Sequence, residues 1–272
     1  NRDWRSQRAL RLASGTALCL ALSFGLALPI PFLAPLICLA LLATLPRPLP
    51  LKAGIGQAVL AALTTGSGLL LIPLLRYYPA SGVAIIGLSL FLAFRYGLRG
   101  GNPLLVKFLV IGLTLISAAG TADFGLAVLV IEALVKGLLL AVLVVGASHW
   151  LFPEPANSPA PPQPTPLPAE VASWVALRAA LVVLPAFLLA LINPASYMPL
   201  IMQAVNLGQQ SCSTSARNAG RELLGSTLLG GVLAIALWCA LGLFVHLWMF
   251  YLWLLLFGLL LARKLFALSA TR

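Results

Sequence analysis

Polar residues are so sparse along this chain that its organisation is set by where the apolar runs break. Almost nothing polar interrupts RLASGTALCLALSFGLALPIPFLAPLICLALLATLPR between Arg11 and Arg47. Residues 12–45 as one straight helix would reach about 50 Å, against a bilayer hydrocarbon core of about 30 Å, so the run must turn back. Pro29, Pro31 and Pro35 supply the place, because proline lacks an amide donor and pushes the residue before it out of the helical region. The pattern predicts a transmembrane hairpin. The same reading gives six spans within residues 1–151, at about 9–28, 30–45, 53–75, 80–94, 104–120 and 122–151. Four more follow at about 171–192, 195–208, 223–244 and 246–268, which makes about ten transmembrane helices.

Between the two groups, residues 152–170, FPEPANSPAPPQPTPLPAE, hold eight prolines and no apolar period. That composition predicts an extended, semi-rigid linker. The opening hairpin recurs after it. Arg11 leads an apolar helix to Pro29 and Pro35; Arg178 leads another to Asn193-Pro194 and Pro199. Lys52 and Arg221 each stand four residues before a glycine, Gly56 and Gly225. Arg11 to Arg178, Pro35 to Pro199 and Lys52 to Arg221 are separated by 167, 164 and 169 residues, so the chain reads as a duplication. The expected fold is all-α, a polytopic membrane bundle in two repeated halves. Residues 1–151 form the first repeat, 152–170 a cytoplasmic linker, and 171–272 a second repeat with four spans, expected to be truncated by two.

Composition narrows the class. Hydrophobic residues make up 61% and charged residues 8% of the chain, with mean hydropathy +1.04, which excludes a soluble core. A net charge of +11 could suggest nucleic acid, but the basic residues are not gathered on one solvated face. They sit in the short connections. With the N-terminus in the cytoplasm, only Arg76 of the 17 Lys and Arg residues falls outside and only Lys136 within a span. Cys19, Cys38, Cys212 and Cys239 form no C-x-x-C pair, and His149 and His246 lie near span ends, so no metal or cofactor is expected. The arginine-led first run has no small-residue cleavage site after it and is expected to be a membrane span, not a signal peptide.

An arginine-led first helix, RALRLASGTALCLALSFGLALP, a proline-punctuated second one, PFLAPLICLALL, and their repetition after a linker resemble the fusaric acid resistance and aromatic acid exporter (FUSC-like) family, in its short, all-membrane form. The resemblance implies an inner-membrane efflux permease for aromatic or other organic acids, not an enzyme, working with a periplasmic membrane-fusion adaptor in Gram-negative bacteria. Larger members carry a soluble domain where this chain has only the proline linker. The expected partners are membrane lipid, a small organic anion, that adaptor and further copies of the chain. A passive organic-anion channel is the alternative. A polytopic enzyme is disfavoured because the 6 acidic residues are scattered.

The candidate pathway residues are few. Glu132 and Lys136 lie four apart inside the sixth span, on one helical face. They are a proton-coupling carboxylate tuned by the lysine, or a lysine that attracts an anionic substrate, or an ion pair that only rescues insertion. Asp123, at the outer end of that span, is a gate, a helix cap or simply interfacial. Arg11 and Arg178 are carboxylate ligands at the cytoplasmic mouth or topology determinants. Asn193 marks a turn or a broken helix. Gln203 and Asn206 are membrane-depth amides that need partners. Glycine pairs at 54/56, 66/68 and 230/231 predict close helix packing.

Overall fold

Helices follow the apolar runs, and the breaks fall where proline, glycine or a capping side chain makes them cheap. A computed structural model describes residues 4–44, 50–153, 166–193, 196–197, 200–201, 203–205, 216–243 and 246–268. The helices are α1 (Trp4–Gly25), α2 (Leu33–Thr44), α3 (Leu51–Gly66), α4 (Ile72–Tyr77), α5 (Pro79–Leu98), α6 (Pro103–Ile111), α7 (Ser117–Ala122), α8 (Phe124–Leu151), α9 (Ala169–Ile192), α10 (Ala216–Leu241) and α11 (Leu247–Leu268). A 3-10 segment, Ser67–Leu71, joins α3 to α4, and a π segment, Gly112–Ile116, joins α6 to α7. Each of these pairs is one long helix with an irregular middle. The described residues include no strand.

Among the described residues, six helices are long and apolar enough to cross a membrane: Lys52–Tyr77, Pro79–Leu98, Pro103–Ala122, Phe124–Leu151, Ala169–Ile192 and Leu224–Leu241. They coincide with six of the expected spans. The other four differ for separate reasons. Helix α1 is continuous, but Arg5, Arg8 and Arg11 in its first turns dilute its apolar window. Leu33–Ala43 and Leu247–Arg263 are apolar but shorter. Half of 195–208, including Asn206, lies outside the described residues, as does most of the linker.

The opening hairpin turns differently from the simple proline break. Leu28 N–H donates to Ser23 O (3.1 Å) and Ala27 N–H to Phe24 O (3.1 Å), closing α1 with a paired cap whose left-handed residue is Ala27, φ 48°. Alanine in that region is strained relative to glycine. Pro29 follows at once and prevents the helix from continuing. Pro35 does not break α2: it lies in its first turn, where an amide has no intrahelical partner to lose.

The chain divides into two compact units, each drawing on segments from both sides of the linker. The first comprises residues 1–58, 132–162 and 230–272. Here α1 packs against α2 and, antiparallel, against α11. A Cβ on Gly258 would stand 3.3 Å from Ala13 Cβ, and at the other end Phe24 and Phe250 meet edge to face, 5.4 Å between centroids. The second unit comprises residues 59–131 and 163–229. Helix α5 packs on α9, with Gly87 against Leu184, and the 3-10 and π segments cross one another.

Candidate functional site

Helix α8 is apolar for nearly its whole length, so its two charges stand out. Glu132 and Lys136 come eight and twelve residues after Phe124, about 12 and 18 Å along a helix of about 42 Å, and so near mid-membrane for a centred span. As the spacing requires, Lys136 Nζ donates to Glu132 Oε1 and the two form an ion pair. Their side chains remain 51% and 47% exposed for Lys136 and Glu132 respectively. The adjacent residue, Gly137, is buried because α2 lies on it: an added Cβ would stand 3.3 Å from the Ala34 nitrogen. Ala34 is fully buried and immediately precedes Pro35. The start of the proline-punctuated second helix is thus brought to within one residue of Lys136.

In the second unit, the irregular segments are locked together backbone to backbone. A Cβ on Gly68 would lie 2.0 Å from Gly112 O, and one on Gly112 would lie 2.5 Å from Thr64 O. The glycine reading from sequence therefore holds for Gly68, and for Gly54, where Val142 would be 2.5 Å away. It fails for Gly56, Gly66, Gly230 and Gly231, which face open space. Hydroxyls crowd the crossing. Thr64 donates to Leu60 O (2.8 Å), Thr65 to Ala61 O (2.5 Å), Thr114 to Val110 O (2.7 Å) and Ser117 to Leu113 O. Such back-bonds satisfy a hydroxyl in an apolar interior and bend the helix that carries it. Mid-helix 3-10 and π turns mark places where a helix departs from its ladder, often for function. Sequence reading noticed the glycines but not this cluster, although TTGSG at 64–68 and GLTLIS at 112–117 carry the signal.

Asp123 is exposed and extended (φ −150°, ψ 123°), and its Oδ1 accepts from Gly125 N–H at 2.9 Å. It is the N-cap of α8. Asp123→Ala is accordingly expected to cost about 1 kcal/mol of stability, which thermal unfolding measures. Arg11 is buried, 3% exposed, whereas Arg178 is exposed, so the two sequence equivalents sit in different surroundings. Asn193 is an exposed turn residue: its N–H donates to Leu189 O and its Oδ1 accepts from Ser196 N–H at 3.3 Å. Gln203 is exposed. Sequence reasoning missed Gln57, whose Oε1 is buried without a hydrogen-bond partner one turn into Lys52–Tyr77. No group of three metal-ligating side chains occurs among the described residues.

Residues 8–147 match the model of a family described as protein of unknown function (DUF2955). Neither a curated protein nor a solved structure matches the chain.

Proposed function

The chain belongs to the family described as protein of unknown function, DUF2955, and from that premise we propose that it is a secondary-active efflux permease for aromatic or other organic acids, driven by protons. The observation that carries the reading is the Glu132–Lys136 pair, half-exposed in mid-helix beside the close contact of Gly137 with the start of α2. An ionisable pair at that depth is a functional site by default, since inserting it costs free energy that Leu or Ala would not. Glu132 is suited to carry the proton and Lys136 to hold the carboxylate of the substrate when Glu132 is neutral. The FUSC-like resemblance of the arginine-led, proline-punctuated hairpins points to the same substrate class and to an inner-membrane location with an adaptor.

The ten-span, two-half architecture belongs to this proposal. The family match ends at residue 147, close to the end of the first six-span half. The packing within the units supports a duplication as well. By sequence, α9 is the equivalent of α1, and α11 the equivalent of α5. One unit joins α1 to α11; the other joins α9 to α5. Each leading helix therefore packs on the fourth span of the other half, a reciprocity that follows naturally from two copies of one plan.

The test is benzoate efflux from proteoliposomes under an imposed proton gradient, per molecule of inserted protein. Glu132→Gln is expected to reduce gradient-driven efflux to background. Efflux by the variant at the wild-type rate would remove Glu132 from the coupling step, and a benzoate current needing no proton gradient would identify a channel instead.

A further inference from the structure

The C-terminal end of α5 carries a basic groove that the transport reading leaves unused. It has a volume of about 580 Å³ and is lined by Leu92, Arg95, Tyr96, Arg99, Gly100 and Gly101. Its shape comes from how α5 stops. Gly100 adopts φ 92°, its N–H donates to Gly97 O (3.2 Å), and Gly101 N–H donates to Tyr96 O (3.1 Å). This is a paired C-terminal cap with glycine in the left-handed position. A Cβ on Gly101 would lie 2.3 Å from the Tyr96 ring, so glycine is what lets the ring lie against the turn. Leu167 N–H donates to Leu98 O at 3.0 Å, and Pro166 borders Gly100 at 3.4 Å from its Cβ position. The end of the linker thus holds the rim.

The electrostatics of the groove are incomplete as it stands. Arg95 and Arg99 are like charges at i and i+4 on one face, an arrangement that is mildly unfavourable without an anion. Neither has an ion-pair partner among the described residues. Arg95 Nε is buried with no hydrogen-bond partner. A cation near a helix C-terminus is favoured by the dipole and by topology whatever it binds, but neither effect explains a buried, unsatisfied guanidinium nitrogen. Two guanidinium forks beside a phenol are the donor set that a tetrahedral phosphate takes.

The surface leading away from the groove selects the kind of phosphate. Leu88, Leu92 and Arg95 of α5 and Arg99, its C-cap, fall at i, i+4, i+7 and i+11, a single stripe, and Leu88 and Leu92 are exposed. The stripe is about 16 Å long, basic at one end and apolar along the rest. Phe91 continues it into a second, largely apolar groove with Leu88, Trp174 and Leu177, bordered by Glu170 and Ser173. We infer that Arg95, Tyr96 and Arg99 bind the phosphate of an anionic phospholipid whose acyl chain lies along Leu92 and Leu88. The site is independent of what the chain transports.

Thermal unfolding of the full chain in detergent, titrated with phosphatidylglycerol, phosphatidylcholine or inorganic phosphate, tests the inference. Phosphatidylglycerol is expected to raise the midpoint saturably, and the other two to leave it in place at the same concentrations. Arg95→Gln with Arg99→Gln should weaken the apparent affinity roughly ten- to hundredfold, the scale of lost hydrogen bonds to a charged group. Leu92→Trp keeps both arginines, fills the groove from an exposed position, and should weaken it too, so the outcome does not depend on the double variant folding. An unchanged phosphatidylglycerol response in either folded variant overturns the site. A response to inorganic phosphate equal to that for the lipid overturns the assignment to lipid.

Discussion

Gly68→Ala is expected to lower the midpoint of thermal unfolding sharply, while Gly66→Ala, two residues away in the same helix, raises it or leaves it alone. At Gly68 the new methyl would meet a carbonyl oxygen of the facing backbone, Gly112 O, at 2.0 Å. Backbone cannot swing aside as a side chain would, so the two segments must separate, and overpacking of this kind typically costs about 1–3 kcal/mol and sometimes more. At Gly66 the backbone is already helical, φ −61° and ψ −28°, and nothing lies within 4 Å of the Cβ position. Alanine there gains up to about 1 kcal/mol of helix propensity. Gly112→Ala should behave like Gly68→Ala, since its Cβ would stand 2.5 Å from Thr64 O, and Gly230→Ala should behave like Gly66→Ala. Fluorescence-detected unfolding in a single detergent compares all four. Equal midpoints for Gly66→Ala and Gly68→Ala would mean that the 3-10 and π segments do not cross in contact.

That comparison also shows where sequence reading reaches its limit. The apolar runs placed the helices well, because in a chain this apolar most of the charged residues lie near the ends of spans or between them. Proline gave the opening hairpin its turn, though the cap itself uses Ala27, a residue no turn rule would select. Which glycine of a pair packs is a different kind of fact. Gly66 and Gly68 differ only in what arrives from a helix more than forty residues away, and no local pattern encodes that. The charged candidates divide in the same way. Glu132 and Lys136 pair because their spacing on one helix requires it, whereas the burial of Arg11 and the exposure of Arg178 depend on packing that their matching positions in sequence do not determine. Arg95 was legible as a topology determinant and no more, since an unsatisfied Nε exists only once its surroundings are built.

Exchanging the two charges, Glu132→Lys with Lys136→Glu, is expected to preserve folding and abolish the proposed proton-driven efflux. The logic rests on separating insertion from function. Removing one charge strands the other in the span, at a cost of about 2.5–3.5 kcal/mol for a lysine at mid-membrane on insertion scales. Lys136→Met and Glu132→Gln should therefore each lower the amount of inserted protein. The exchange restores a neutral pair at the same spacing, and the reversed order costs only a few tenths of a kcal/mol on a helix. Inserted protein should return close to the wild-type amount. If the pair served insertion alone, efflux per molecule would return with it. The site, however, is asymmetric: Gly137, which meets the start of α2, directly follows position 136 and lies five residues beyond position 132. A carboxylate moved one turn along α8 shifts by about 6 Å relative to that contact. It would then stand where the proposed substrate-binding cation belongs, so proton and substrate would exchange places. Wild-type efflux from the exchanged protein would show that the pair exists to carry α8 into the membrane and that coupling lies elsewhere.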